Sequence, residues 1–167
     1  MPTLATRTTT RTATRTATRT ATPDDAPFLA ALHAAGRARE VAAFGWDERT
    51  ADAFLAQQHT ARERAYATSY PGADDRVLTV DNTPVGRVLV HRTFGALHVV
   101  DLAVLPAHQG RGLGTAVLRG LLDEAAAAGA TVRLSVRADN RARRLYERLG
   151  FVALDETGVD VPMEARP

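Results

Sequence analysis

Apolar positions in the first half of the chain fall at helical spacing, and from about residue 77 they gather into short strand-like runs. Phe28, Leu29 and Leu32 form the first stripe. Thr22 stands ahead of it as a cap, Pro23 at the first helical position and Asp25 three residues after the cap. Gly36 is expected to end this helix, leaving residues 37–46 as a connection that carries Arg37, Arg39, Glu40, Phe44 and Trp46. A second helix is predicted over residues 47–68, with Phe54, Leu55, His59 and Tyr66 along one stripe and Pro71-Gly72 as its stop. Residues 77–80, 85–92 and 97–105 then read as three strands joined by turns at 81–84 and 94–96, an antiparallel meander in which Gly86 marks a candidate bulge. A helix over 112–128 follows, stopped by Gly129, then a buried strand over 132–136. Asp139 or Asn140 caps a helix running to Arg148, and strands over 151–154 and 159–163 close the chain. With an edge strand at about 15–21, the order is strand, helix, helix, three strands, helix, strand, helix, strand, strand. This order implies an α/β (α+β) domain: a mixed, mostly antiparallel sheet with helices on both faces.

The N-terminal segment has a different character. Residues 7–22 repeat Arg-Thr-x-Thr every four positions, with alanine as almost the sole apolar residue, so residues 1–14 are expected to be a disordered low-complexity tail and residues 15–167 a single domain. Charge points the same way. All 21 basic residues are arginine, and four of them precede the first acid, Asp24, which leaves 17 against 19 acidic residues in the body. The net charge of +2 therefore belongs to the tail, and a nucleic-acid-binding role for the domain is not favoured. Cysteine is absent, and the five histidines form no ligand pair, so neither a thiol nucleophile nor a metal site is expected. No apolar run is long enough to span a bilayer and the start of the chain has no apolar leader, so a cytoplasmic protein without a membrane partner is expected.

The segment with the clearest chemistry runs from Leu102 to Thr115, Leu-Ala-Val-Leu-Pro-Ala-His-Gln-Gly-Arg-Gly-Leu-Gly-Thr. A buried strand enters a glycine-rich turn that opens a helix. Glycines allow the sharp turn and close backbone approach, and the free amides and dipole of the new helix favour an anion. A Walker loop would need a lysine, which the chain lacks, and a dinucleotide fingerprint starting at Gly110 would need glycine where Thr115 stands. The pattern Gln109-x-x-Gly112-x-Gly114 instead resembles the coenzyme motif of the GCN5-related N-acetyltransferase (GNAT) superfamily. A second segment, Asn140-Arg-Ala-Arg-Arg-Leu-Tyr146-Glu-Arg-Leu-Gly-Phe151, resembles that family's later motif, and the resemblance covers about residues 77–151 strongly.

The resemblance implies an acetyl-CoA-dependent N-acetyltransferase in which the fourth and fifth strands splay apart around the coenzyme. It implies that Leu102, Ala103 and Val104 pair with the pantetheine arm, that the backbone of Gly110, Arg111, Gly112, Leu113, Gly114 and Thr115, introduced by Gln109, cradles the pyrophosphate, and that Asn140 contacts the coenzyme arm. It also implies that Tyr146 protonates the leaving thiolate. Read as sequence alone, Tyr146 also fits an apolar helix face and Asn140 a simple cap. The general base stays open. The family's fourth-strand glutamate position falls on His98, Asp101 lies three residues further on, and regular strand alternation would put the two on opposite faces unless a bulge intervenes. A water chain is the third option. The acceptor, a small amine or a protein amine, is expected near the two N-terminal helices, with Arg39, Glu40, Phe44, Trp46 and Tyr70 as candidate wall residues. A homodimer is left open, and a non-catalytic acyl-CoA-binding module is the alternative to an enzyme.

Overall fold

A computed structural model of the chain describes residues 15–167; the tail expected to be disordered, residues 1–14, lies outside the described residues. The elements are β1 (Thr16–Thr20), α1 (Ala26–Ala42), α2 (Glu48–Ser69), β2 (Asp74–Val80), β3 (Thr83–Thr93), β4 (Ala96–Val104), α3 (Leu113–Ala128), β5 (Thr131–Arg137), α4 (Arg143–Arg148), β6 (Val152–Ala153) and β7 (Asp160–Ala165), with single turns of 3-10 helix at Pro23–Asp25 and Pro106–His108. Every predicted element is present in the predicted order. The one substantial departure is at Gly36, which does not end α1: the helix runs on to Ala42. Burial of Val41 and an Arg37–Glu40 ion pair (2.6 Å) hold the extra turns and outweigh the cost of glycine in a helix interior. The expected connection over 37–46 therefore shrinks to residues 43–47. Asp47 caps α2, its Oδ1 accepting from the Thr50 amide at 3.0 Å.

The seven strands form one sheet in the order β1-β2-β3-β4-β5-β7-β6, antiparallel except for the parallel β4–β5 pair. Asp81 and Asn82 both take positive φ (49° and 64°), the requirement of a two-residue hairpin turn between β2 and β3. Gly86 lies beside the β2–β3 bulge, and a Cβ there would stand 2.5 Å from the Ala103 carbonyl, so only glycine lets β3 lie this close to β4. One face of the sheet packs α3 and α4 through Leu78, Val99, Leu118, Leu121, Val132, Leu134, Phe151 and Met163, with Leu102, Val104, Leu145 and Tyr146 against that core. The other face carries α1 and α2. At the β1 edge, Arg19 grips the buried Asp25 carboxylate with two hydrogen bonds (2.6 and 2.7 Å), tying the edge strand to the entry of α1.

Two irregularities in β4 position the site. Its ladder with β5 runs from Ala96↔Thr131 to Val99↔Leu134 and stops there, so the β5-facing edge of residues 100–104 is unpaired. Its register with β3 shifts between Val90↔Val99 and Leu89↔Asp101, which leaves Val100 as an extra, bulged residue.

Candidate active site

The bulge decides which way the acidic residue points. Leu97 and Val99 lie in the core under α3, and beyond the bulge Leu102 and Val104 return to that side. His98 packs edge-on against Tyr70, the residue that caps the end of α2 (ring centroids 5.2 Å apart), while Asp101 and Ala103 line a small cavity with Leu29 and Leu32 of α1 and Arg62 of α2. His98 and Asp101 thus share the α1/α2 face, against the regular alternation, because Val100 adds one residue between them. They occupy different levels: His98 sits where β4 and β5 are still paired, opposite Arg133, and Asp101 sits past the end of that pairing. Burial and nearby cations lower the His98 imidazole from its ordinary range.

Asp101 belongs to a charged cluster beneath the two helices. Arg62 Nη2 donates to Asp101 Oδ1 at 2.6 Å, and Arg87 Nη1 lies 3.7 Å from Oδ2. Arg87, only 4% exposed on β3, donates to both oxygens of Glu63 (2.6 and 2.9 Å) and both of Asp75 (2.9 and 2.8 Å). Burial pushes the Asp101 carboxyl up from the usual carboxylate range, against the downward pull of the two guanidinium groups. The sequence reading passed over Arg62, Glu63 and Arg87. The signal was present: on α2, His59, Arg62, Glu63 and Tyr66 recur at spacings of three and four, so charged residues stand on the inward stripe and demand buried partners.

On the opposite face lies the turn after β4, where the sequence leads one to expect a cradle. Gly110 (φ 74°) and Gly112 (φ 80°) both take the left-handed conformation, and Gly112 is the N-cap of α3. Ala116 is the first residue whose amide bonds back into this turn, to the Gly112 carbonyl at 2.9 Å. Among the described residues, the amides of Gly110, Arg111, Gly112, Leu113, Gly114 and Thr115 have no backbone partner, so six consecutive N–H groups sit at the positive end of α3. The geometry fits a pyrophosphate. A Cβ at Gly114 would meet Leu145 and Leu102 at ordinary contact distance (3.8 and 3.9 Å), so the start of α3 lies close to α4 and β4.

Gln109 is engaged within the chain: its Nε2 donates to the Val104 carbonyl at 2.9 Å and its Oε1 accepts from Arg141. It braces the end of β4 against the loop before α4. Asn140 Oδ1 accepts from the Ala142 amide at 2.9 Å, a turn that leads into α4 in the manner of a cap. Tyr146 stacks edge-on with Phe151 (5.8 Å), and among the described residues its hydroxyl has no protein hydrogen-bond partner. Burial, and then the nearby Asp101 charge, raise the phenol from its ordinary value.

The candidate acceptor residues divide into two groups. Phe44 and Trp46 form an exposed aromatic cluster with Phe54 at the start of α2 (centroids 4.7 to 6.3 Å apart), with Glu40 near Arg137 at the end of β5. Tyr70 lies at the other end of α2, on a cavity of about 420 Å³ shared with Glu63, Tyr66, Asp75 and Arg87. No helix among the described residues is long and apolar enough to cross a membrane, and none of their His, Asp and Glu side chains cluster in a metal-binding arrangement.

Comparison with known proteins adds independent findings. The description "Acetyltransferase (GNAT) family" matches residues 36–151. Over 79 residues the chain is 33% identical to a [ribosomal protein bS18]-alanine N-acetyltransferase of Haemophilus influenzae, covering 47% of this chain and 54% of that protein. Over 95 residues it is 38% identical to a GCN5-like protein acetyltransferase of Mycobacterium tuberculosis, covering 51% and 46%. The chain thus spans about half the length of the curated relatives it matches. Among solved structures, the PaiA N-acetyltransferase of Thermoplasma acidophilum in complex with coenzyme A shares the fold at a TM-score of 0.69 and 17% identity, over 92% of this chain and 99% of that one. The ribosomal-protein-S18-alanine N-acetyltransferase of Escherichia coli does so at 0.61 and 26% identity, over 91% and 94%.

Proposed function

The chain belongs to the acetyltransferase (GNAT) family, and we propose that it moves an acetyl group from acetyl-CoA to a primary amine by direct attack in a ternary complex. The observation that carries this reading is the junction of six unengaged amides, in the turn before α3 and its first residues, with the unpaired edge of β4. The cradle takes the pyrophosphate and the open edge of Leu102, Ala103 and Val104 takes the pantetheine amides. Bound this way, the coenzyme supplies a thioester carbonyl between β4 and α4.

The chain's own groups then divide the proton work. Asp101 receives the proton of the attacking amine, directly or through one water; its Oδ1 is held by Arg62, and Oδ2 makes only the longer contact to Arg87. Desolvation suits it to the task, since it raises the carboxyl's affinity for a proton above the ordinary carboxylate range, against the pull of the two guanidinium groups. Tyr146 gives its proton to the leaving thiolate, and its raised phenol stays protonated at neutral pH. A backbone amide near Val104 stabilises the oxyanion. With no cysteine to carry the acyl group, direct transfer is favoured over a two-step route. His98, at the paired level of the strands, is left without a proton-transfer role.

The test is thiol release from acetyl-CoA in the presence of small diamines, a lysine-containing peptide and a peptide with an N-terminal alanine, the last because two relatives are named as alanine N-acetyltransferases of a ribosomal protein. Amine-dependent release, with the acetylated product seen by mass, is expected from at least one class. Gly112→Asp places a carboxylate in the cradle and should abolish acetyl-CoA binding by calorimetry. Tight binding without release for any amine would replace this reading with that of a non-catalytic acyl-CoA module.

A further inference from the structure

We propose that His33 is a positioning residue of the proton-accepting centre, its Nδ1 lone pair holding the Arg62 guanidinium in the orientation that grips Asp101. This rests on the reading of Asp101 as the base. Arg62 is fixed by three acceptors on three elements: Nε donates to the Tyr66 hydroxyl on α2 (2.6 Å), Nη1 to His33 Nδ1 on α1 (3.1 Å), and Nη2 to Asp101 Oδ1 on β4 (2.6 Å). A planar guanidinium held on each of its three nitrogens cannot rotate; freed at Nη1, it can swing about its remaining bonds.

The contact also determines the histidine's protonation. A guanidinium only donates, so Nδ1 must be the bare nitrogen and Nε2 must carry the proton. His33 is 8% exposed, and among the described residues its Nε2 has no protein partner. The groups facing it are Arg37 from its own helix, His59, Arg62 and Glu63 from α2, with Arg87 of β3 and Asp101 of β4 on the same cavity. Burial and the cations hold the ring neutral to below the ordinary histidine range. Acidification beyond that point puts a proton on Nδ1, which removes the acceptor and sets a second cation beside Arg62. The guanidinium then leaves Asp101, whose carboxyl rises further and takes up a proton. His33 and Asp101 therefore titrate as a coupled pair on the acid side of the activity profile.

Two variants separate positioning from packing. In His33→Asn the side-chain oxygen lies near the place of Nδ1, accepts a hydrogen bond and does not titrate; in His33→Leu the volume stays and the acceptor is lost. Acetyl-CoA affinity should be unchanged in both. The Leu variant should lose roughly tenfold or more in kcat, the loss of a hydrogen bond to a charged group. The Asn variant should stay within about threefold of wild type, with its acid limb moved to lower pH and made less steep. A Leu variant with wild-type kcat and acid limb overturns the proposal, as does a folded Asn variant no better than Leu. Two readouts do not need turnover. Nitrogen-15 spectra of the imidazole should show the Nε2–H tautomer of His33, and the Asp101 carboxyl carbon should titrate higher in the Leu variant than in wild type or Asn. An Nδ1–H tautomer, or an unmoved Asp101, overturns the positioning role. If wild type binds acetyl-CoA and acetylates no amine, the functional reading fails while these spectra still decide the His33–Arg62–Asp101 contact.

Discussion

Tyr146 is the residue on which the chemistry and the packing readings diverge most cleanly. Its ring rests against Phe151 within the core under α3 and α4, yet its hydroxyl has no protein partner among the described residues. Tyr146→Phe keeps the ring contacts and removes only the proton donor. Turnover should fall by roughly 10²–10⁴-fold, in kcat and kcat/KM together, with acetyl-CoA binding and melting temperature little changed. A Phe variant at near wild-type kcat would reduce Tyr146 to a packing residue. Asp101 illustrates a different point at the same scale. It was visible in the sequence as an acid on β4, but its neighbours Arg62 and Arg87 come from positions 39 and 14 residues away in the chain, and they oppose the upward push of burial on its carboxyl. Pairing of that kind is set by tertiary packing, so spacing along the chain could not reveal it.

Among the elements, α1 and β4 show what local signals can and cannot decide. Gly36 carries a real stop signal, but its φ is not positive, the space around it is open, and the helix passes through it. Gly36→Ala should therefore stabilise the fold by about 0.5–1 kcal/mol, since alanine removes backbone entropy from the unfolded chain without meeting any neighbour. Denaturant unfolding measures this directly; destabilisation would mean that the helix is broken at Gly36 in solution. In β4, the bulge at Val100 moves Asp101 to the α1/α2 face without altering which residues are apolar. Strand parity read from sequence is a count, and a bulge changes the count by one. The glycine turn after β4 was legible for the opposite reason: Gly110 and Gly112 take φ values that other residues resist, so the residue type itself records the backbone.

For the molecule as a whole, acid should act through opposing terms. Asp25, gripped by Arg19 and by the Thr22 amide, is held below the usual carboxylate range. Its contribution is present above the unfolded value of about 3.9 and is lost as pH falls toward the folded one. Asp101, raised by burial, works with the other sign: its ionisation in the folded state costs stability as pH rises through the window above the unfolded value. Melting temperature should accordingly drop as pH is taken below about 4, and Asp25→Asn should flatten that drop while lowering stability near neutrality. An unchanged acid profile in the Asn variant would show that the grip on the edge strand is not formed in solution. The element order, the meander, the helix caps at Thr22 and Asp47 and the amide cradle were all determined by local sequence, because each depends on residue type, period and backbone conformation within a few positions. The splay of β4 from β5, the face on which Asp101 stands, the division of Tyr70 from Phe44 and Trp46 along α2, and the charged cluster beneath the helices were decided only by tertiary structure, because each depends on ladder register or on which distant side chains share a buried space.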